Sequence, residues 1–366
     1  MLTFLHAADL HLDAPFLALS PEQAVERRAE QRQLLRRLTE TARQAEADLV
    51  LLSGDLFDRQ RLRPETMEQL YDCFESLDIP VFLAPGNHDP CLATSPYRTR
   101  PWPDNVHIFT QDSPQRMALP ELGVVVYGAA FRNEHRGTSP LAEFRAQDQG
   151  LIKLGCFHGE AGTSQGHYAP IPYEDIAASG LDYLALGHNH TASGLKRVGR
   201  TFYAWPGCAE GRGFHECGEK GVYLGQLEDG RVSLDFVPLA SRRYLSLKLD
   251  ISGQDPQAAL EDAIQQADAR DLARILLVGR REPRQRIDIK ALTALARGYF
   301  YSAKVLDATV LAQDLWARSK EDSLIGFFLR DMQDRLEGAK TPQERKLVES
   351  AVRMALSAFE GREEPL

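Results

Sequence analysis

The chain has 366 residues, of which 43% are hydrophobic and 26% charged, with a formal net charge of −9. This length predicts two or three domains with a sizeable core, and no run of about 18 apolar residues is present to form a membrane-spanning helix. Because the net charge is negative, the chain cannot bind a nucleic acid through positive charge spread over its whole surface. Residues 1–240 carry 32 acidic against 22 basic side chains, and residues 241–366 carry 20 against 21. DNA binding would therefore need local basic patches.

The N-terminus and the cysteines indicate the compartment in which the chain works. The first residues lack a basic segment ahead of a short apolar stretch, and Asp9 falls within that stretch, so they predict a β-strand and not a signal peptide. The five cysteines are scattered and none forms a CxxC pair, which fits a reducing environment better than a disulfide framework. The sequence predicts a cytoplasmic protein without a membrane partner.

Short apolar runs alternate with helical patterns through the first 190 residues. Helices are predicted over residues 21–47, where leucines recur at helical spacing, and over residues 64–77, where Pro64 suits a first helical turn. Strands are predicted over the apolar runs at residues 2–7, 48–52, 80–84, 124–126, 151–157, 181–186 and 202–205. This alternation predicts a layered α/β architecture.

The composition changes after Pro238. Residues 243–310 have the pattern strand, helix, strand, helix, strand, which is typical of a small separate α/β unit. Residues 322–360 have the pattern of two helices that are broken between Gly338 and Pro342. We therefore predict a domain over residues 1–240, a small α/β domain over residues 241–312 and a helical tail over residues 313–366.

Five short motifs carry the polar chemistry, and each begins where an apolar strand is predicted to end. They are DLH at 9–11, GDLFD at 54–58, GNHD at 86–89, FHGE at 157–160 and GHNH at 187–190. Open α/β sheets place their sites at the carboxyl ends of strands, so these loops are expected to meet on one rim. One such motif arises by chance in many chains, but all five in this order are highly specific.

The residue types in these motifs fit a metal site. Aspartate and neutral histidine bind divalent cations, and an asparagine carbonyl is a weaker oxygen ligand. The candidate ligands are too many for one tetrahedral ion, and they suit two ions that share a carboxylate, for which Asp55 is the natural bridge. The candidates are Asp9, His11, Asp55, Asn87, His158, His188 and His190. Two adjacent cations would activate water and hold phosphoryl oxygens, which predicts phosphoester hydrolysis.

The ordered motifs resemble those of the calcineurin-like metallophosphoesterase superfamily over residues 1 to about 240. The resemblance implies a sandwich of sheets flanked by helices. It also implies that His88 protonates the leaving oxygen or stabilises the phosphoryl group, and that Asp58 orients His88. Two metal ions are implied, most simply manganese, which a site of histidine and carboxylate without thiolate permits. The implied ligand sets are Asp9, His11, Asp55 and His190 for one metal, and Asp55, Asn87, His158 and His188 for the other.

Within that superfamily the chain is similar to the SbcD family of DNA-repair nucleases, and more narrowly to YhaO-type DNA exonucleases. The stretches that carry the similarity include HAADLHLDAPF, LVLLSGDLFDR, PVFLAPGNHDP and GHYAPIP. In that family the small α/β domain caps the nuclease and helps to seat DNA, while the C-terminal helices dock on an SMC-like ATPase of the SbcC or YhaN type. The similarity thus implies DNA and such an ATPase as partners, and it leaves a homodimer open.

Two points stay open between alternatives. Arg59 and Arg61 either capture phosphate beside the metals or belong to a solvated loop, and Arg59 is expected to lie nearer the metal rim.

The leading function is a two-metal DNA exonuclease or endonuclease in DNA repair. A phosphatase or cyclic-nucleotide phosphodiesterase would use the same metals on a small substrate, and a non-catalytic scaffold for the ATPase would have lost part of the site. The small domain and the tail favour DNA, and the complete ligand set with His88 favours an enzyme.

Overall fold

The computed structural model describes residues 1–59, 62–282, 285–311 and 315–359. The chain divides into two compact units. The first comprises Met1–Leu247, Ala267–Arg274 and Arg297–Lys304, and the second comprises Lys248–Gln266, Ile275–Ala296 and the described residues from 305 onwards. The predicted domain boundaries at residues 240 and 312 stay predictions. No helix within these described ranges is both long and apolar enough to cross a bilayer.

Six strands form the first sheet of the first unit. Leu2–Ala7 lies in its middle and pairs in parallel with Leu49–Leu52, and two further strands continue this parallel ladder. On its other side Leu2–Ala7 pairs antiparallel with Gly221–Glu228. The full order is Arg231–Pro238, Gly221–Glu228, Leu2–Ala7, Leu49–Leu52, Val81–Leu83 and Val106–Ile108. The carboxyl ends of the parallel strands therefore lie along one edge of this sheet.

The second sheet also has six strands, and its four central strands run parallel. The two edge strands pair antiparallel with their neighbours. The order is Lys196–Val198, Thr201–Ala204, Tyr183–Gly187, Ile152–His158, Val124–Gly128 and Gln115–Leu119. The strands that precede the FHGE and GHNH motifs are adjacent, so these two motifs leave the sheet side by side.

The two sheets pack face to face. Because alternate residues of a strand point to opposite faces, each strand contributes one set of side chains to the space between the sheets and another to the outer face. Apolar side chains of both sheets form one buried cluster between them, which includes Phe4, Leu51, Phe82, Val126, Leu154 and Tyr183. On the outer face of the first sheet, Leu5 and Val50 pack with Leu34 and Leu38 of the first helix. Ile176 of the helix Tyr173–Ala178 belongs to the cluster on the second sheet's outer face. The predicted sandwich of sheets flanked by helices is confirmed.

The helices begin where the sequence provides caps. Ser20 accepts from the backbone N–H of Gln23, and the Gln23 side chain accepts from the Ser20 backbone N–H, which is a capping box. Thr341 accepts from the backbone N–H of Glu344 at the start of the last helix. The helices are Pro21–Gln44, Pro64–Glu75, Pro96–Thr99, Tyr173–Ala178, Pro256–Gln265, Ile289–Tyr299, Leu324–Gly338 and Pro342–Phe359, with a short 3₁₀ turn at Pro120–Leu122.

The later part of the chain forms a smaller α/β arrangement. A three-stranded sheet has the order Tyr244–Asp250, Leu272–Val278 and Ser302–Asp307. A short strand pair joins Arg280–Arg281 to Val310–Leu311, and the first unit contains another short pair between Glu160–Ala161 and Pro170–Ile171. The last two helices pack on each other through a cluster of Leu315, Leu329, Val352 and Leu356.

Candidate metal centre

The five motifs converge, because each follows the carboxyl end of a strand and both sheets end at the same rim. The DLH, GDLFD and GNHD loops leave three adjacent strands of the first sheet, and the FHGE and GHNH loops leave two adjacent strands of the second. Backbone hydrogen bonds tie the loops together: Asp9 N donates to Gly54 O at 3.0 Å, and His11 N donates to Asp55 O at 2.9 Å. Residues that are distant in sequence therefore share one site.

The backbone is strained where the candidate ligands stand. Asp9, His11, Asp55 and His188 have φ values of 52°, 44°, 50° and 96°. A left-handed conformation is uncommon for residues other than glycine and costs on the order of 1–3 kcal/mol each, so it persists only where the surroundings enforce it. Strain at four of the seven candidate ligands is typical of a functional site, since it aims side chains that a relaxed strand would direct elsewhere.

A glycine lets two ligand loops approach each other closely. A Cβ on Gly187 would stand 1.8 Å from Ser53 O and 2.7 Å from His158 Nδ1. We expect Gly187→Ala to lower the melting temperature and weaken Mn²⁺ binding, because the two loops must separate at a cost of about 1–3 kcal/mol or more. Gly298→Ala is the matched control, since a Cβ on Gly298 meets nothing within 4 Å and alanine favours the helix. Equal melting temperatures for the two variants would contradict this packing.

The first predicted ligand set forms a tight cluster. One ligand atom each from Asp9, His11, Asp55 and His190 lies within 4.8 Å of the others. His11 Nε2 lies 3.2 Å from His190 Nε2 and 3.6 Å from Asp55 Oδ2, and His190 Nε2 lies 3.7 Å from Asp9 Oδ1. All but His190 are almost completely buried. These nitrogen and oxygen atoms fit a metal site, because their lone pairs would repel one another at such short distances unless a cation lay between them.

The second predicted set is joined pairwise around the Asn87 side chain. His158 Nε2 lies 2.9 Å from Asn87 Oδ1 and 3.5 Å from Asp55 Oδ2. His188 Nδ1 lies 3.3 Å from the same Asn87 oxygen. Asp55 Oδ2 is thus within 3.6 Å of a histidine nitrogen from each set. This is the place that the predicted bridging carboxylate requires.

In three histidines, one ring nitrogen forms a hydrogen bond on the side away from the cluster, and this outward hydrogen bond determines which nitrogen faces the centre. The acceptors are the Ser53 carbonyl for His158 Nδ1 at 2.9 Å, Glu160 for His188 Nε2 at 3.0 Å and Glu216 for His190 Nδ1 at 2.7 Å. A carbonyl or carboxylate oxygen only accepts, so each of these nitrogens donates. In a neutral ring the other nitrogen is then an unprotonated lone pair directed at the cluster. The three rings are arranged as metal ligands are.

The charges at the centre favour bound cations. Burial, with the Asp55 carboxylate nearby, raises the pKa of Asp9 well above its ordinary value, and burial also raises the pKa of Asp55. Burial lowers the pKa of His11 well below its ordinary value and that of His158 to about 4. The His11 and His158 rings are therefore neutral at pH 7 and able to bind metal. The carboxylates of Asp9 and Asp55 are buried close together, and a bound cation would neutralise their charge.

The two predicted catalytic residues lie beside this cluster. Nitrogens of His11 and His88 and an oxygen of Asp58 lie within 4.8 Å of one another. His88 is exposed, its ring packs edge-on against the His11 ring at 4.7 Å, and its backbone N–H donates to Asp55 Oδ1 at 2.9 Å. The Asp58 carboxylate accepts from Arg212 Nη1 at 3.1 Å. Orientation of His88 by Asp58 stays a prediction.

The two predicted phosphate-binding arginines differ in what can be said of them. The Arg59 side chain is 71% exposed, and its Nε lies 3.8 Å from Asp58 Oδ2. It therefore stands at the rim of the centre without being held in a buried ion pair. Arg61 lies outside the described residues, so its predicted role stays a prediction.

Sequence reasoning missed Glu216 and Arg212. The Glu216 side chain is buried and accepts from His190 Nδ1, from Arg212 Nη2 and from the Arg212 backbone N–H, each at 2.7 Å. Burial alone would raise the pKa of Glu216, but these hydrogen bonds outweigh burial and lower it. Arg212 spans from Glu216 to Asp58 and so links supports of the centre. Both residues lie in a Gly-rich loop outside the five motifs. The spacing of an arginine and a glutamate four residues apart is the one sequence signal that could have pointed to them.

We expect Glu216→Gln to weaken Mn²⁺ binding about 10- to 100-fold, because the carboxylate that fixes the His190 tautomer would be lost. Calorimetric titration of the purified variant with Mn²⁺ measures this. Glu219→Gln is the control, since Glu219 is exposed in the same segment. Wild-type Mn²⁺ affinity in Glu216→Gln would show that His190 needs no carboxylate support.

Comparisons with known proteins agree with this geometry. The family model described as calcineurin-like phosphoesterase matches residues 2–192, which contain all five motifs. An uncharacterized metallophosphoesterase YhaO of Bacillus subtilis (strain 168) is 33% identical over 250 residues, which cover 64% of this chain and 60% of that protein. A DNA double-strand break repair protein Mre11 of Methanopyrus kandleri is 25% identical over 279 residues, covering 68% of this chain and 59% of that protein. The chain thus spans about six tenths of the length of these relatives.

Proposed function

The chain belongs to the calcineurin-like phosphoesterase family, and we propose that it is a two-metal phosphodiesterase that cuts DNA. The observation that carries this proposal is the cluster of Asp9, His11, Asp55 and His190, whose ligand atoms lie within 4.8 Å of one another. Asn87, His158 and His188 extend it on the other side of Asp55. Nitrogen and oxygen ligands without thiolate suit Mn²⁺, which we propose as the metal.

Two bound divalent ions would supply an activated water and would neutralise the charge of the phosphoryl oxygens. The residues of the chain do the rest. Asp55 holds the two ligand sets together. Its Oδ1 also accepts a hydrogen bond from the His88 backbone N–H, which fixes the backbone position from which the His88 side chain extends. Outward hydrogen bonds hold the His158, His188 and His190 rings in the orientation that the metals need.

His88 is the proposed general acid. Its exposed ring stands at the mouth of the centre, against the His11 ring, where a leaving oxygen can approach it. A proton held on a His88 ring nitrogen would pass to that oxygen as the P–O bond breaks, which removes the need to expel an unstable alkoxide. Arg59, exposed at the same rim, is proposed to contact a neighbouring phosphate.

DNA is the proposed substrate because one relative is named a DNA double-strand break repair protein. Action in DNA repair is proposed on the same ground. A phosphatase or cyclic-nucleotide phosphodiesterase would use the same metals, so the alternative is kept as an outcome of the test below.

An SMC-like ATPase is the proposed partner, with the two C-terminal helices as the contact. These helices expose large apolar side chains: Leu324, Phe327, Leu347 and Met354 are 73%, 61%, 71% and 62% exposed. Exposed apolar groups in such number on two adjacent helices are typical of a surface that a partner covers. A second copy of this chain would be an alternative occupant, and light scattering of the purified chain with and without the ATPase separates the two.

The proposed function is tested by incubating the full chain with Mn²⁺ and either an end-labelled DNA oligonucleotide or bis(p-nitrophenyl) phosphate. We expect both to be cleaved, and EDTA to stop both reactions. Cleavage of the small ester alone would favour the small-substrate enzyme. Cleavage of neither, with Mn²⁺ bound, would favour the non-catalytic scaffold for the ATPase.

A further inference from the structure

A buried tyrosine, Tyr97, contacts the loop that carries His88, and the chemistry described so far assigns no role to it. Tyr97 belongs to the short helix Pro96–Thr99 and is 5% exposed. Its hydroxyl donates to Asp89 Oδ2 at 2.5 Å, and Asp89 directly follows His88 in the GNHD motif. A buried tyrosine hydroxyl needs a hydrogen-bond partner, and here that partner is a residue of a motif loop.

Asp89 joins two of the motif loops through its carboxylate. Its Oδ1 accepts the Gly86 backbone N–H at 2.8 Å, within the GNHD loop, and its Oδ2 accepts the Phe57 backbone N–H at 3.0 Å, in the GDLFD loop. Asp89 is almost completely buried, and a buried carboxylate that loses a donor is left poorly solvated. The Tyr97 hydroxyl therefore adds a third donor to the carboxylate that connects the two loops.

Two aromatic rings hold the Tyr97 ring in place. The Phe57 ring stacks on it with the centroids 5.4 Å apart and 29° between the planes, and the Trp102 ring does so at 5.8 Å and 19°. Trp102 Nε1 also donates to the Pro96 carbonyl at 3.2 Å, which fixes the turn before Tyr97. These contacts do not involve the hydroxyl, so we expect a phenylalanine at this position to keep them.

The GNHD loop has little room to move without displacing His88. A Cβ on Gly86 would lie 2.2 Å from Asp55 Oδ1, so the loop passes directly against the proposed bridging carboxylate. The same oxygen accepts the His88 backbone N–H at 2.9 Å. A shift of the loop would thus move the His88 ring relative to a leaving oxygen, and a displacement of about 1 Å can cost on the order of 100-fold in rate.

We propose that Tyr97 is a positioning residue, whose hydrogen bond to Asp89 holds the GNHD loop where His88 can donate its proton. The inference rests on the proposed phosphodiesterase function and on the role of His88 in it. Because Tyr97 is buried, it acts through Asp89 and not on the substrate. Its effect is therefore expected in the turnover of substrates whose leaving group needs a proton, and not in KM.

The test is Tyr97→Phe in the full chain, which removes the hydroxyl and keeps the ring. We expect kcat for a DNA oligonucleotide to fall about 10- to 100-fold, with KM and the Mn²⁺ stoichiometry unchanged. The loss for bis(p-nitrophenyl) phosphate should be smaller, because p-nitrophenolate leaves without a proton. In a His88→Ala background, Tyr97→Phe should cause no further loss on DNA, since both changes impair the same step.

Tyr127→Phe is the matched control, because Tyr127 is also buried and its hydroxyl donates to a carboxylate, that of Asp148, outside the five motifs. Three results would overturn the positioning role of Tyr97. Equal losses on DNA and the small ester, or a further loss in the His88→Ala background, would show that Tyr97 supports only the fold or the metals. Unchanged kcat on DNA would show that the hydrogen bond to Asp89 has no effect on catalysis.

A second measurement does not depend on turnover. Hydrogen exchange, followed by mass spectrometry, compares peptides that contain Gly86 and Phe57 in the wild type, Tyr97→Phe and Tyr127→Phe. We expect only Tyr97→Phe to exchange faster, by about tenfold, because the two loops open more often. Unchanged exchange would refute the hold of Tyr97 on the loop. If the wild type cuts no DNA, the DNA proposal fails, and hydrogen exchange alone decides whether Tyr97 holds the loop.

Discussion

Asp55→Asn is expected to abolish Mn²⁺-dependent cleavage, by at least about 10³-fold, with the chain still folded. Asp55 Oδ2 lies within 3.6 Å of histidine nitrogens from both ligand sets, so one substitution removes a charge that both cations need. Asparagine keeps a side-chain oxygen that can accept the His88 backbone N–H, and thereby preserves the loop. Cleavage of a labelled oligonucleotide and calorimetric Mn²⁺ stoichiometry measure the two effects.

The same variant should be more stable than the wild type when metal is absent. Asp55 contributes to raising the pKa of the buried Asp9, which means that the two carboxylates destabilise each other without cations. We expect Asp55→Asn to raise the melting temperature in EDTA and to lose most of the further rise that Mn²⁺ gives the wild type. Asp78→Asn, at an exposed aspartate, is the control for adding an amide. Full Mn²⁺ stoichiometry together with full activity in Asp55→Asn would contradict the bridge.

His88→Ala is expected to lower kcat for DNA by about 10²–10⁴-fold while Mn²⁺ binding stays at the wild-type level. The His88 ring is exposed and lies beside the His11 ring without belonging to either predicted ligand set, so its removal should leave the metals in place. A leaving group that needs no proton should reduce the loss. We therefore expect bis(p-nitrophenyl) phosphate to suffer less than DNA, because p-nitrophenolate departs unprotonated.

The comparison of the two substrates separates two roles of His88. An equal loss on both substrates would indicate charge stabilisation of the phosphoryl group and not proton donation. Retention of wild-type DNA cleavage with both metals bound would remove His88 from the mechanism.

Much of the fold could be predicted because the strands before the motifs are buried on both faces. Continuous apolar runs such as residues 49–52 have few alternative structures, and a proline and an N-cap mark where the helices begin. The strands Gly221–Glu228 and Arg231–Pro238 were not predicted, although they complete the first sheet. Arg231–Pro238 is only partly buried and carries polar side chains, so it has no apolar run to mark it.

The motifs supplied the candidate ligands because metal chemistry restricts those positions to a few residue types. The supports around the ligands could not be predicted in the same way. Glu216 acts through a 2.7 Å contact with His190, 26 residues away, and nothing in the local sequence requires that proximity.

The central claim is that Asp55 joins two cations, and anomalous diffraction from crystals soaked in Mn²⁺ tests it most directly. We expect two peaks a few ångströms apart, both in contact with the Asp55 carboxylate, one beside His11 and His190 and the other beside His158 and His188. A single peak, or two peaks of which neither contacts Asp55, would contradict the account.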